Sequence, residues 1–106
     1  MTQLGRVFLY AEFQASVPFN EGVWREANAT MQSVPGLRSK TWLSGINTHS
    51  VGGFYEFDSE QNARNYAEGM LAEFAKAAGA SLTVKQFDGD VVAEASKGMN
   101  SPFFAI

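Results

Sequence analysis

The chain has 106 residues, 45% of them hydrophobic and 18% charged, which indicates one globular domain spanning residues 1–106 rather than a disordered or membrane protein. Its formal charge of -3, with no cluster of lysine or arginine, argues against nucleic acid as a partner. No apolar run approaches the ~20 residues that cross a bilayer, and the first residues lack a secretory pattern, so we expect a cytoplasmic protein with no membrane partner. The absence of cysteine excludes disulfides, thiolate nucleophiles and thiolate metal sites.

The first half of the chain predicts a strand, a helix and a hairpin. Residues 6–13 alternate between two sets of strand-forming side chains, which is typical of a β-strand with two different faces. Pro18 opens a segment whose apolar residues recur every three or four positions, the spacing of one helix face. These residues are Phe19, Val23, Ala27, Met31 and Val34. The turn at 34–36 ends this helix, and residues 37–44 and 51–57 form a hairpin across a polar, glycine-containing loop.

The second half predicts another helix and a last strand. Asp58 or Ser59 caps the helix, and Gly79 ends it. Its apolar stripe consists of Ala63, Tyr66, Ala67, Met70, Leu71 and Phe74. Residues 81–87 form the fourth strand, and residues 91–95 form a short helical turn before the tail.

The order strand, helix, strand, strand, helix, strand predicts a ferredoxin-like α+β fold, with an antiparallel sheet that carries both helices on one face. Alternation along the strands sorts the side chains into two faces, provided that no bulge intervenes. The mostly aliphatic face expected beneath the helices holds Val7, Leu9, Ala11, Thr41, Leu43, Val51, Tyr55, Phe57, Leu82 and Val84. The open face holds Phe8, Tyr10, Glu12, Arg38, Lys40, Trp42, Phe54, Glu56, Thr83, Lys85 and Phe87.

The open face is too aromatic to be left in water. Each large ring carries ~150–250 Å² of buriable area, so the rings on this face together exceed the apolar patch that is typical of a monomer. A second copy of the sheet, related by a two-fold axis, would cover them, and we therefore expect a homodimer that encloses a cavity. If bulges scatter the rings, the face is instead an ordinary amphipathic surface.

A short run in the middle of the chain resembles a known family. The run consists of Trp42, His49, Gly52, Gly53, Tyr55 and Phe57, preceded by Pro35-Gly36 and followed by a helix with Ala63 and Tyr66. It looks like the YdhR-like monooxygenases of the dimeric α/β-barrel superfamily. The resemblance extends from the first to the fourth predicted strand. It implies a barrel of two ferredoxin-like subunits, with relatives that oxygenate phenolic or polyketide-like compounds without metal or flavin. The C-terminal MNSPFFAI does not match the pattern.

Oxygenation without a redox cofactor requires the substrate to supply the electrons, as a phenolate or a stabilised carbanion. The protein must then accept a proton and hold an anion in a cavity that excludes water. His49 is the preferred base, with Glu12 as the second choice if burial raises its pKa. The Tyr10 hydroxyl, the Trp42 indole N–H and the Asn47 amide are the candidate donors to the anion. The residues expected to bind the aromatic substrate are Phe8, Glu12, Phe54 and Phe87.

Each candidate also has a structural interpretation. His49 and Asn47 are typical of a polar hairpin loop, where Asn tolerates a left-handed backbone. Trp42 and Tyr10 can simply fill the core of a dimer. The pair Gly52-Gly53 favours a β-bulge over the close approach of a ligand.

Most cofactors are unexpected in this chain. The single histidine rules out a multi-histidine metal centre, and no phosphate-binding glycine loop is present, so we expect no metal, nucleotide or flavin. A haem-binding protein with His49 as the iron ligand is a third possibility, after an oxygenase and a protein that only binds an apolar ligand.

Two function classes remain, an oxygenase and a protein that only binds an apolar ligand. The charged side chains of the open face favour the enzyme, although Glu12 and Glu56 are expected to pair with Lys40 or Lys85. The apolar tail is expected to dock on the partner subunit or over the pocket. Its apolar residues are Phe103, Phe104 and Ile106.

Overall fold

The molecule is built from four strands and a set of short helices. The computed structural model describes residues 5–14 and 21–104. The strands are β1 (Val7–Gln14), β2 (Leu37–Ser44), β3 (Ser50–Phe57) and β4 (Ser81–Asp88). The helices are α1 (Glu21–Met31), α2 (Glu60–Tyr66), α3 (Ala72–Ala78) and α4 (Ala93–Gly98). A π-helical turn (Ala67–Leu71) joins α2 to α3, and a 3-10 turn (Pro102–Phe104) follows α4.

The strands form one antiparallel sheet in the order β2-β3-β1-β4. The helices α1, α2 and α3 contribute buried side chains to the face on which β1 buries every second residue. The core between these layers consists of Val7, Leu9, Ala11, Phe13, Met31, Tyr55, Phe57, Ala63, Tyr66, Leu71 and Ala75. The predicted ferredoxin-like α+β fold is therefore confirmed, with each strand within one residue of its predicted bounds.

The C-terminal half of the first helix buries the apolar side that its spacing predicts, whereas the side chain of Val23 lies outside what the structure describes. Met31 belongs to the core, and Ala27 and Val34 pack against it half-buried. The predicted start of this helix, Pro18 and Phe19, lies outside the described residues.

The second helix begins as predicted but changes register midway. Ser59 caps α2, because its hydroxyl accepts a hydrogen bond of 3.1 Å from the Asn62 backbone N–H. The π-helical turn adds one residue to the repeat, so Leu71 remains buried while Met70 and Phe74 become partly exposed. Gly79 ends α3 in the left-handed conformation, with φ at 64°, as the sequence predicts.

The face assignment of β2 is wrong beyond its first residues, because the sheet register shifts between Leu37 and Ser39. A bulge inserts one unpaired residue, and every later side chain of the strand then points to the opposite face. Lys40 therefore lies opposite Tyr55, and Trp42 lies opposite Gly53, on the side covered by the helices. The side chains that take their places on the open face are Thr41 and Leu43.

The glycine pair of β3 forms no bulge, which corrects a second expectation. Pairing continues without a break through Gly52 and Gly53 on both neighbouring strands. A Cβ at Gly52 would overlap the Ala11 carbonyl oxygen, and a Cβ at Gly53 would lie 2.8 Å from the Lys40 Cε. The glycines are required by the close approach of neighbouring atoms.

The expected cross-strand pairs of the glutamates are also wrong. The Glu56 carboxylate accepts a hydrogen bond from Arg38 at 3.2 Å and forms an ion pair with Arg6 at 3.4 Å, rather than pairing with a lysine. Glu12 accepts a hydrogen bond of 2.6 Å from the Tyr10 hydroxyl. Lys40 cannot reach either carboxylate from the helix side of the sheet.

The C-terminal segment folds back over the open face of its own sheet. The predicted helical turn is α4, which begins two residues later than expected. The Phe103 ring lies 5.5 Å from Phe8 and 5.3 Å from Phe54 between centroids. The Arg6 guanidinium donates to the Phe103 carbonyl oxygen at 2.8 Å and lies 4.4 Å above the Phe104 ring. The tail therefore covers part of this face within one subunit; the predicted docking residue Ile106 lies outside the described residues.

None of the helices in the described part of the chain is long and apolar enough to cross a bilayer. Cytoplasmic residence stays a prediction.

Replacing Gly53 with alanine should destabilise the fold, because the new methyl would lie 2.8 Å from the Lys40 Cε and 2.9 Å from the Tyr55 ring. We expect the free energy of unfolding in urea to fall by about 1–3 kcal/mol, a typical cost of overpacking. Gly69→Ala is the matched control, since no atom lies within 4 Å of the added Cβ there. Equal stability of Gly53→Ala and wild type would contradict this placement of Lys40.

Candidate functional site

A cavity of about 360 Å³ lies between the sheet and the helices. Its floor is formed by Phe13, Lys40, Trp42, Gly52 and Tyr55. Its other walls are formed by Glu26, Ala27, Thr30, Met31, Tyr66, Met70, Leu71 and Phe74. A volume of this size, with mostly apolar walls and few polar groups, is typical of a small-molecule site.

Two irregularities of the backbone shape this cavity. The bulge in β2 turns Lys40 and Trp42 toward the helices, where they line its floor. The π-helical turn moves Met70 and Phe74 out of the core to the side of the cavity, where they are 42% and 49% exposed. Single π-helical turns occur often at functional sites, because they displace side chains from the regular helix repeat.

Two tyrosine hydroxyls meet at the cavity. The Tyr66 hydroxyl donates to the Tyr55 hydroxyl at 3.3 Å and lies 3.6 Å from the Met31 thioether sulfur. Burial raises the pKa of both hydroxyls, and the neighbouring Tyr66 raises the pKa of Tyr55 further. Both groups therefore stay neutral at physiological pH and serve as hydrogen-bond donors, not as bases.

Lys40 brings a positive charge to the same space. Its ammonium lies 3.3 Å from the centroid of the Trp42 ring and 5.0 Å from that of Tyr55, and it donates to the Met31 sulfur at 3.7 Å. Burial lowers the pKa of this ammonium to about 8. Within the described part of the chain, no carboxylate oxygen lies within 4.0 Å of it.

Trp42 is the one predicted catalytic residue that lines this cavity. Its indole N–H donates to the Asn28 side-chain oxygen of α1 at 3.0 Å. The indole N–H is the single hydrogen-bond donor of a tryptophan side chain, and it was expected to donate to the substrate anion. In the structure this N–H donates to Asn28 instead. The ring face remains as its contribution to the cavity wall.

His49 and Asn47 lie in the turn between β2 and β3, away from the cavity lining. Both side chains are exposed, and their φ angles of 51° and 58° are left-handed. A turn role accounts for Asn47, while a left-handed histidine is less common. The structure does not bring these two residues together with Trp42.

Tyr10 and Glu12 lie on the open face, on the other side of the sheet from Trp42. Hydrogen bonds from Tyr10 and then Ser50 lower the pKa of the Glu12 carboxyl, while the bond to Glu12 raises the pKa of Tyr10. The condition for Glu12 as a base, a pKa raised by burial, is not met. Tyr10, Glu12 and the β2-β3 turn border a second surface depression of about 270 Å³.

The expected substrate-binding rings also lie on the open face. Phe8 and Phe54 stack on each other at 5.0 Å and are covered by the tail, whereas Phe87 is 49% exposed. None of the three lines the cavity between the sheet and the helices.

Sequence reasoning missed Lys40, Tyr55 and Tyr66 as site residues. A signal for the tyrosines was present, since both belong to the run that resembles the family. The sequence gives no comparable indication for Lys40. The bulge that turns its side chain toward the helices cannot be detected from the alternation of residue types along β2.

The architecture and this run of residues agree with one protein family. The family model described as "Putative mono-oxygenase ydhR" matches residues 8–102. The chain belongs to this family. No curated protein matches the sequence.

Solved structures with the same fold include two oxygenases at low identity. SnoaB, a cofactor-independent oxygenase from Streptomyces nogalater, has a TM-score of 0.57 and 19% identity, covering 78% of this chain and 91% of its own. A monooxygenase from the gene ActVA-Orf6 of Streptomyces coelicolor, solved with nanaomycin D, has a TM-score of 0.55 and 19% identity, covering 80% and 87%. At these identities the comparison shows the shared ferredoxin-like fold.

Replacing Lys40 with methionine should stabilise the fold at neutral pH, because the charged amine is partly removed from water. We expect a gain of about 1–2 kcal/mol in the free energy of unfolding at pH 7. The pKa of Lys40 is lower in the folded state than in the unfolded state, so the unfolded state holds more protons between pH 8 and 10.5. Wild type therefore regains stability as the pH rises through that window, and the gap to Lys40→Met closes.

Urea unfolding of wild type and Lys40→Met at several pH values measures this gap. The control is Lys85→Met, since Lys85 is exposed on the open face. A gap that stays constant from pH 7 to 10.5 would show that burial does not penalise the Lys40 charge.

Proposed function

We propose that this chain is a cofactor-independent monooxygenase that oxidises a hydroxylated aromatic or polyketide-like small molecule in the cavity between the sheet and the helices. The observation that carries the proposal is the ring-lined cavity with neutral tyrosine donors in its wall. Membership of the mono-oxygenase family gives the reaction class. The similar fold of SnoaB, a cofactor-independent oxygenase, supports the absence of a cofactor.

The substrate must supply all the electrons in such a reaction. For an activated ring methylene, as in an anthrone, the balance is R₂CH₂ + O₂ → R₂C=O + H₂O. Loss of one proton gives a carbanion, which transfers electrons to oxygen and forms the C–O bond of a peroxide. The peroxide takes up a proton, the second C–H proton leaves, and the O–O bond breaks to release water.

The protein contributes a mostly apolar cavity and hydrogen bonds to this sequence of steps. Aromatic and aliphatic walls reduce the contact of the peroxide with water, and hydrogen bonds are stronger in such surroundings. The Tyr66 hydroxyl donates toward both the Tyr55 oxygen and the Met31 sulfur, so the Tyr55 proton is the one available to the oxyanion of the substrate. The Trp42 ring forms part of the apolar cavity wall.

Oxygen uptake by chelator-treated protein with a panel of anthrones and hydroquinones tests the proposal. We expect one oxygen consumed per ketone formed from an anthrone, with one atom of labelled oxygen in the product. Tyr55→Phe should lower kcat roughly 10- to 100-fold, because it removes a preorganised donor to the anion. His49→Ala, a change on the exposed turn, should leave the rate within about twofold.

The same assay separates the alternatives. Loss of oxygen uptake in His49→Ala, with normal uptake in Tyr55→Phe, would indicate that His49 is the base and that the reaction takes place outside this cavity. Tight binding of the anthrone without uptake would favour the carrier. A haem absorption band in the purified protein would favour the haem-binding alternative.

We also propose that the protein is a homodimer that joins through the open faces of its sheets. The tail covers Phe8 and Phe54, but other large apolar side chains around the open face and the tail remain exposed. These are Phe87, Val91, Val92 and Met99, with 49%, 77%, 59% and 81% exposure. A second copy of the subunit, related by a two-fold axis, would bury these exposed apolar side chains.

A charge at Phe87 should dissociate this dimer. We expect Phe87→Glu to halve the mass measured by light scattering at micromolar concentration, because a carboxylate would be buried at the interface. Phe74→Glu is the matched control, since Phe74 is also 49% exposed but lies on the helix side. An unchanged mass for Phe87→Glu, or a wild-type monomer, would contradict the proposed interface.

A further inference from the structure

We propose that Lys40 makes the cavity selective for an aromatic substrate that is already ionised, a phenolate or enolate, and holds its oxyanion. This inference rests on the proposed function and names the class of substrate that the site takes. It also assigns a role to a side chain that neither the family resemblance nor the fold requires.

The position of Lys40 depends on two independent features of the sheet. The bulge between Leu37 and Ser39 turns the side chain toward the helices. Gly53, on the facing strand, leaves room for the aliphatic stem, since a Cβ there would lie 2.8 Å from the Lys40 Cε. The ammonium is thereby brought to the floor of the cavity.

Several cations among the described residues pair with carboxylates, whereas no carboxylate oxygen in those ranges lies within 4.0 Å of the Lys40 ammonium. Arg6 and Arg38 share Glu56, and exposed Lys97 lies 3.3 Å from a Glu94 oxygen. In the described ranges, the Lys40 ammonium instead contacts two aromatic rings and a thioether. Rings and sulfur compensate a positive charge only weakly, so an anion that enters the cavity gains a strong partner.

The neighbouring groups favour a flat anion over a small one. The Trp42 and Tyr55 rings flank the ammonium, and the Tyr55–Tyr66 pair supplies a neutral donor nearby. The ionisable side chains that share the cavity lining with Lys40 are Glu26, Tyr55 and Tyr66. Glu26 is the carboxylate among them, and it forms no ion pair with Lys40 within 4.0 Å among the described atoms.

An ionised substrate also removes the need for a base inside the cavity at the first proton transfer, and the hydroxide that leaves when the O–O bond breaks takes up the second C–H proton to form water. The anion of an anthrol is the same species as the carbanion of the anthrone, so ionisation in water already supplies the electron pair that oxygen takes. The proton is released to solvent before binding. This accounts for a cavity in which His49 and Glu12 take no part.

Anaerobic calorimetry with two probes of equal shape tests the inference without turnover. The probes are 2,4-dinitro-1-naphthol, which is an anion at pH 7, and its neutral methyl ether. We expect wild type to bind the anion at least about tenfold more tightly than the ether, which an ion pair in a partly buried site can supply. Lys40→Met should lose this preference while binding the ether as well as wild type does, which shows that the cavity is intact.

Lys40→Arg should keep the preference, and Lys85→Met, a change on the open face, should not alter it. In wild type the preference should fade above pH 8, as Lys40 loses its proton. Equal preference in wild type and Lys40→Met, or no preference in wild type, overturns the inference. Anion preference without oxygen uptake would leave this inference standing and refute the proposed monooxygenase.

Discussion

One unpaired residue in β2 determines the chemistry of the cavity. The bulge lies at Arg38, whose guanidinium donates to the Glu56 carboxylate at 3.2 Å and to the Gly5 carbonyl oxygen at 2.6 Å. These bonds hold the Arg38 side chain on the open face. The bulge then determines on which face of the sheet each later side chain of β2 lies. Without the extra residue, Lys40 and Trp42 would lie on the open face and Thr41 and Leu43 would line the cavity. The site would then contain neither a cation nor an indole.

The two faces of the sheet divide the charged groups by function. On the open face, Glu56 is paired with two arginines, and the hydrogen bond from the Tyr10 hydroxyl lowers the pKa of the Glu12 carboxyl. On the helix side, burial makes Lys40 easier to deprotonate and keeps the tyrosines protonated. Groups with shifted pKa values that surround a cavity are typical of sites that handle protons or anions, whereas satisfied ion pairs are typical of a surface.

The fold was predictable from the sequence because its signals are local. Strand alternation, the cap at Ser59 and the left-handed Gly79 act over a few residues, and each is found where predicted. The lining of the candidate cavity was predictable only in part, since Trp42 lines it while His49, Tyr10 and Asn47 do not. The catalytic roles expected for these four residues stay predictions. A bulge in β2 and a π-helical turn after α2 each insert one residue, which changes the face on which the following side chains lie. Composition and spacing carry no record of either.

The polar and partly exposed groups that line the cavity weaken it as a core. A lysine among aromatic rings, hydroxyls that share a single hydrogen bond, and Met70 and Phe74 at an open wall all forgo burial that a close-packed interior would gain. Such departures from good packing persist where function needs them, because the rest of the domain supplies the stability. Here the tightly paired sheet and the Tyr55–Phe57–Tyr66 ring cluster, with centroids 5.2 to 6.3 Å apart, form that rigid support directly beside the cavity. Tyr55 and Tyr66 belong to both, so the donors are held in place by the same rings that stabilise the core.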